Sequence, residues 1–364
     1  MKTKHRIFLF PAAIILFLLL VAGLTSCEFG SIALGMPGTT LPADTVFKPL
    51  DEPDGSGTPP KDDKPSETTA ATLPPVTETT APPPATVYYH PLSALPVGRA
   101  VSEKRPIALS LDGSDLSSLA SPHLLIEGPI ESGKTRYLYL TCEEPSAFRR
   151  DAILSTRSYF AAVAHDFYAI SAYRGTSDDG RESTAFLYDT LDLSRPELAD
   201  TSLSVALENS GYPQKIAGDI MLPYSFVAPG ETVEPAGTYS SYIRIAFFGG
   251  SSTAFTYDSL SHSYTLRAGA GDRPALTFTN IFILFFNTGI TTTKSGVTLS
   301  LDTDAGGTGY YISNGYAIPI EWERNAATSN LRFYTEGGRE LTVNRGKTYI
   351  AMTDFSQRAS LVLN

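Results

Sequence analysis

Tyr310-Tyr311-Ile312-Ser313-Asn314-Gly315-Tyr316-Ala317-Ile318 carries the strongest local structural signal in this 364-residue chain. Two runs of apolar and aromatic residues flank Asn-Gly. Both central positions of a type I′ turn need a positive φ, which Asn and Gly adopt at the least steric cost, so the stretch predicts a tight β-hairpin. Downstream, Gly337-Gly338 between residues 332–335 and 341–343 predicts a second hairpin, and 347–352 a further strand. Upstream, 241–248, 253–257, 264–267, 275–286 and 297–301 are strand-like, and little helical periodicity remains after about residue 239. Many short strands broken by frequent turns predict a mostly antiparallel β unit over 226–364. Residues 223–235, with their prolines and glycines, read as the connector into it.

The preceding stretch is mixed. Ile107, Leu109 and Leu111 alternate as in a strand, and 123–127, 135–141 and 169–173 are further strand candidates. Ile153, Phe160, Val163, Ala164 and Phe167 recur at helical spacing. Ser155 is the expected N-cap of that helix, which places Arg157 in its first turn. Residues 183–193 read as a second, less periodic helix. The predicted fold class is therefore α+β: a mixed α/β domain over 88–225, then a β-rich domain over 226–364.

Two segments precede these domains. Lys2, Lys4 and Arg6 stand before an apolar run from 7 to 22, and Leu24-Thr25-Ser26-Cys27 comes next, the pattern of an export signal. The run is short for a retained span, which takes roughly 20 apolar residues. A cysteine after Leu-small-small resembles the bacterial lipobox. That resemblance implies removal of the preceding peptide, attachment of lipid to Cys27, and a protein anchored on the extracytoplasmic face of a bacterial membrane. One acyl chain holds weakly and two hold firmly. Residues 28–87 are rich in Pro, Thr, Gly, Asp and Glu and poor in aliphatics, so they cannot bury enough apolar area to offset their ordering entropy and are expected to be a disordered tether. Its Pro/Thr portion, 58–86, suits a spacer. About 60 such residues reach roughly 45 Å as a coil and about 180 Å as extended polyproline.

Composition removes several function classes. The net charge is −10, so the basic surface needed for nucleic acid is missing. After Cys27 the chain has only Cys142, so the mature protein forms no internal disulfide, and its roughly 275 remaining residues must rely on core burial. Cys142 ends the strand-like run 137–142 and reads as a buried apolar side chain. Gly128-Pro129-Ile130-Glu131-Ser132-Gly133-Lys134-Thr135 fits the P-loop pattern. That chemistry needs a helix next, whose amides hold the phosphates. Arg136-Tyr137-Leu138-Tyr139-Leu140 alternates like a strand instead, so a turn is expected, with no nucleotide and no other cofactor. The five histidines show no metal-ligand spacing, and no metal is expected. His165-Asp166 reads as a solvated polar face of a helix. Trp322 and the Tyr-rich hairpin read as sheet-filling aromatics in preference to a sugar-stacking platform.

His90-Pro91-Leu92-Ser93-Ala94-Leu95-Pro96 is similar to the Asn-Pro-Leu-Thr-Gly-Leu-Pro stretch of the YerB-like bacterial lipoproteins, a family defined by a domain of unknown function with N-terminal and C-terminal parts. Residues 105–112, 125–127 with 133–137, Ser155-Thr156-Arg157-Ser158-Tyr159-Phe160, 309–322, 332–334 and 346–350 match the same family pattern. The resemblance covers nearly all of 90–352. Residues 151–154 replace the family's Gly-Pro-Val-Arg, residues 173–177 replace its His-Ala-Gly-Gly-Ser, and its Pro-His-Asn-Leu-Tyr-Thr segment has no counterpart. The resemblance implies a two-part fold, export and a lipid anchor, and it implies no reaction.

Two functions compete. The first is a non-catalytic binding or scaffold module for a cell-wall component or an envelope protein. The second is an enzyme acting on a wall polymer or peptide through a pocket of Asp112, Glu127, Arg136 and Arg157, all at family-matched positions. Arg157 near a helix start would combine a guanidinium with free amides, which suits a carboxylate or phosphate. Alternatively, Arg157 pairs with Glu127 or Asp112 and holds the helix on the sheet. No residue is assigned a catalytic role.

Overall fold

Residues 280–286, Asn-Ile-Phe-Ile-Leu-Phe-Phe, are apolar on both faces, so a strand there must be covered on both sides. The computed structural model is built around that strand. It describes residues 86–364 apart from 114–115, 117–121, 146–148, 176–187, 199–200, 268–275, 294–295 and 325–329; the export signal, Cys27 and the tether up to 85 lie outside the described residues. Strands β1 (Ile107–Leu111), β2 (Leu124–Pro129) and β3 (Thr135–Thr141) pair antiparallel, with β3 in the middle. Helix α1 (Ser158–Asp166) leads to β4 (Ile170–Tyr173), parallel to β1, and β5 (Thr190–Asp192) lies parallel to β4. After the short helix α2 (Leu203–Glu208), strands β6 (Tyr242–Ala246), β7 (Ser252–Asp258) and β8 (Ser263–Arg267) form a meander. Thr277–Phe278 and Val362–Leu363 extend it to a five-stranded sheet.

The chain then returns to the first sheet as β9 (Asn280–Phe286). β10 (Thr288–Thr293) and β11 (Gly296–Leu301) make a separate hairpin, and β12 (Gly307–Ser313), β13 (Tyr316–Arg324) and β14 (Leu331–Thr335) continue the large sheet. β15 (Thr348–Asp354) inserts parallel between β9 and β2. The resulting order is β14-β13-β12-β9-β15-β2-β3-β1-β4-β5. Strands from after residue 226 make up one half of this sheet and strands from before residue 225 the other, joined where β15 pairs with β2.

Side chains on successive strand residues point to opposite faces. Ile281, Ile283 and Phe285 join Leu125, Tyr349 and Ala351 and pack against Ile243, Phe255, Tyr264 and Phe278 of the five-stranded sheet. Phe282, Leu284 and Phe286 join Leu124, Ile126 and Met352 and pack against Phe160, Val163 and Phe167 around α1. Among the described residues the fold is mostly β, and its helices are short and few.

The Asn-Gly hairpin forms as the sequence requires. Asn314 has φ 50° and Gly315 φ 84°, and Ser313 pairs with Tyr316. The helix expectation needs correcting in detail. Arg157, at φ −125° and ψ 154°, occupies the N-cap position, and α1 begins at Ser158. Ser155 lies two residues before that position, and its Oγ accepts from Arg136 Nη1 (2.8 Å) instead of from a helix amide. Of the helix expected over 183–193, residues 183–187 lie outside the described residues, and Thr190–Asp192 is a strand because pairing with β4 overrides its weak local preference. The solvated-face reading of Asp166 is also overturned. Asp166 is 2% exposed, because Arg324 on β13 holds the C-terminal end of α1 against the sheet.

A pair of histidines closes the start of the folded region. The rings of His90 and His123 stack with centroids 3.5 Å apart. Leu92 N–H donates to His90 Nδ1 (3.1 Å), which requires that nitrogen to be unprotonated. Burial, then the nearby His123, lowers the His90 pKa to about 3, while burial and Lys347 lower that of His123 to about 4. Both are neutral in the folded protein at pH 7. As pH falls below about 6.5 the unfolded chain takes up protons that the folded chain refuses, so stability is lost down to the folded pKa; for His90 the loss at pH 5 is about 2 kcal/mol. His90→Asn keeps an acceptor for Leu92 N–H and removes the titration. The drop in unfolding free energy between pH 7 and pH 5, measured with urea, is expected to shrink by about 2 kcal/mol in this variant. An unchanged drop would refute the assignment.

Candidate functional site

The pleat of β2 and β3 divides the predicted site. Glu127 pairs with Tyr137, and Gly128 with Arg136, so Glu127 and Arg136 project from opposite faces of the sheet. Glu127 faces the five-stranded sheet and is 1% exposed. Thr135 Oγ1 donates to its Oε1 (2.6 Å), Thr253 Oγ1 to its Oε2 (2.8 Å), and the Tyr349 hydroxyl also to Oε2. Burial raises the Glu127 pKa, against the pull of these hydroxyls. The carboxyl is fully enclosed by protein groups.

On the opposite face, β3 and the loop before α1 bring two guanidiniums together at Ser155. Arg136 Nη1 donates to the Ser155 carbonyl and to its Oγ (2.8 Å), and Arg157 Nη1 lies 3.4 Å from the same Oγ. Burial, then the adjacent Arg157, lowers the Arg136 pKa, while Asp112 acts in the opposite sense. Asp112 is exposed and comes directly after Leu111, whose partner on β3 is Tyr137, which brings it beside Arg136. Asp112, Arg136 and Arg157 are therefore neighbours, and Glu127 is not among them.

Arg157 pairs with neither Glu127 nor Asp112. Its partner is Glu131, which no sequence pattern singles out. Arg157 Nε donates to Glu131 Oε1 (3.0 Å), Nη2 donates to Oε2, and Nη1 donates to the Thr156 carbonyl (2.9 Å). Glu131 Oε1 also accepts from Leu299 N–H on β11 (2.8 Å). Burial works to raise the Glu131 carboxyl, but Arg157 and the Leu299 amide outweigh it and hold the pKa below its usual value. The arrangement ties α1, the 131–133 turn and the β10–β11 hairpin together. Only the fold brings these groups close, so no local signal could have marked Glu131 as the partner.

The P-loop letters have structural explanations. A Cβ at Gly128 would lie 3.1 Å from Phe160 Cζ, so glycine lets α1 pack across β2. Gly133 turns the chain at φ 70°, where a Cβ would meet the Gly249 carbonyl oxygen at 2.5 Å. The turn opens into strand β3, and no helix starts there. Cys142 is buried, and burial pushes its thiol up to about 12. Trp322 is buried against Phe286, ring centroids 4.4 Å apart, and offers no exposed stacking face.

The family model described as the C-terminal domain of a protein of unknown function, DUF3048, matches residues 243–350. The crystal structure of the YerB protein from Bacillus subtilis superposes with a TM-score of 0.59 and 20% identity over 76% of this chain and 99% of that one, a likeness of fold. No curated protein matches the chain. Residues 243–350 thus match the DUF3048 C-terminal domain, and the chain shares the fold of YerB.

Proposed function

We propose that this chain is a lipid-anchored extracytoplasmic protein of the bacterial envelope, held through Cys27, and that it acts as a binding or scaffold module for a cell-wall component or an envelope protein. The observation that carries the non-catalytic reading is the internal pairing of Glu127 and Arg157, one with threonine and tyrosine hydroxyls and the other with Glu131. A general acid or base must reach the proton it moves, and Glu127 is walled off between two sheets. The anchor is supported by Leu24-Thr25-Ser26-Cys27 after its apolar run, and the spacer by the Pro/Thr-rich composition behind it.

In cells expressing the chain, labelled palmitate is expected to enter the parent protein and not Cys27→Ala, which is expected to leave the membrane fraction. Equal labelling and retention of the two would sink the anchor. Crosslinking in living cells is expected to attach envelope proteins or wall fragments to the parent. Turnover of a wall polymer by the purified chain, abolished in Glu127→Gln, would sink the non-catalytic part.

A further inference from the structure

The Asn314-Gly315 turn gathers three tyrosines that stay partly exposed. Tyr239, on the two-residue strand Thr238–Tyr239, pairs with Tyr316 at the start of β13, and their rings meet edge to face with centroids 5.5 Å apart. Tyr257, near the end of β7, approaches from the five-stranded sheet and lies against the buried ring of Tyr264, centroids 4.9 Å apart. A Cβ at Gly315 would lie 2.9 Å from Tyr257 Cε1 and 3.2 Å from Tyr239 Cε2, so the bare turn glycine lets rings from the two sheets close over it. Tyr239 is 54% exposed, and Tyr257 and Tyr316 are half-buried. The Tyr257 hydroxyl lies 3.3 Å from His262 Nδ1, in a turn that also carries Leu260, 94% exposed.

We infer that this surface docks a basic segment of a protein partner, with an arginine guanidinium against the tyrosine rings; the inference rests on the binding-module reading and names the partner's chemistry. A cation is drawn to the face of an aromatic ring, and the pull strengthens as water is excluded. Arginine is planar and weakly hydrated, so it stacks on such rings while donating to carboxylates. The charged groups that act on Tyr257 are both carboxylates: burial raises its pKa, and Tyr239, Glu234, Asp258 and Tyr316 raise it further. Glu234 and Asp258 are exposed, and hydrogen bonds from Leu260 N–H (3.0 Å) and Ser261 Oγ (2.8 Å) keep Asp258 ionised. Among the described residues the cations seated over rings are Arg99, Arg345 and Arg358, on Tyr88, Tyr89 and Phe355. The three tyrosines at the turn therefore keep their faces for a cation from outside. The two carboxylates repel an anionic polymer, and a neutral sugar would leave them unused. Aromatic residues and Arg are also the side chains enriched in the cores of protein interfaces.

The probe is the acetylated, amidated peptide Gly-Arg-Gly-Arg-Gly, and its neutral control carries citrulline in place of both arginines. Added to the full chain with ring-labelled tyrosine and followed by NMR, the peptide is expected to shift the Tyr239 and Tyr316 resonances saturably in the millimolar range, and the control to shift neither. Tyr239→Ala and Glu234→Gln are each expected to weaken binding about three-fold. Both side chains are exposed, so these variants are expected to melt like the parent. Tyr239→Phe keeps the ring and is expected to bind as the parent does. A missing or linear response, an equal response to the citrulline peptide, or unchanged binding in Tyr239→Ala or Glu234→Gln would overturn the site. N-acetylglucosamine shifting these resonances where the peptide does not would likewise overturn it. Envelope proteins crosslinked to the chain, together with no peptide response, would leave the binding-module reading standing and remove this surface from it.

Discussion

Arg324→Met is expected to lower the unfolding free energy by about 3–5 kcal/mol at pH 8, the usual cost of leaving a buried charge without its partner. Arg324 and Asp166 form a two-pronged pair, Nη1 to Oδ1 at 2.8 Å and Nη2 to Oδ2 at 2.7 Å, with side chains 4% and 0% exposed. Leu331 N–H also donates to Asp166 Oδ1 (3.0 Å), and Arg324 Nε donates to the Thr303 carbonyl (2.7 Å). The pair joins the end of α1 to β13 and to the start of β14, and so clamps the helix layer onto the edge of the large sheet. Burial pushes the Asp166 pKa up to about 6 against the pull of Arg324. An acid raised in the folded state contributes stability that is complete below its unfolded pKa and is lost as pH rises through the folded one. Without Arg324 the pKa moves higher still. The deficit of Arg324→Met relative to the parent is therefore expected to shrink by at least ~1 kcal/mol between pH 8 and pH 5. Urea unfolding monitored by circular dichroism at both pH values measures this. A deficit below about 1 kcal/mol at pH 8 would mean that the pair is not the clamp described.

What the sequence reveals here is local, and what it hides is long-range. Asn314-Gly315 announces its hairpin because the positive φ is a property of those two residues. The alternation of Ile107, Leu109 and Leu111 and the even apolar run of 280–286 announce strands because side-chain direction is set one residue at a time. Nothing in 124–129 or 348–354 shows that these strands lie parallel and adjacent, since the pairing joins segments more than two hundred residues apart. The same holds for the charged groups. Asp166 resembles a surface aspartate until β13 delivers Arg324, and Arg157 resembles an anion site until the 131–133 turn delivers Glu131. Family-matched positions point to Glu127 and Arg136 together, yet a one-residue offset across the β2–β3 ladder sends them to opposite faces. Trp322 is legible as core material, but its close packing over Gly307 is visible only once β12 and β13 are paired.

Glu127→Ala is expected to cost about 3–4 kcal/mol, combining a cavity with the hydroxyls of Thr135, Thr253, Tyr349 and Tyr137 left facing it. Thr135, Thr253 and Tyr349 come from three different strands, two of them in the large sheet and one in the five-stranded sheet. The carboxyl is therefore the polar junction between the two sheets, and its removal unties both at once. Glu127→Gln keeps one acceptor oxygen and nearly the same volume, and hydroxyl rotors can turn to accept from its amide, so its cost is expected to be about 1 kcal/mol. The two variants also separate structure from charge. The raised pKa of Glu127 makes its contribution complete below about 4.5, the unfolded value, and lost as pH rises through the folded value. Replacement by Gln removes that titration, so the gap between Glu127→Gln and the parent is expected to narrow as pH rises from 5 to 9. Unfolding monitored by Trp322 emission and circular dichroism tests both statements. Parent-like stability of Glu127→Ala would mean that water reaches the carboxyl and the junction is open. In that case Glu127 would return as a candidate for proton transfer, because the objection to a catalytic role is its enclosure between the sheets.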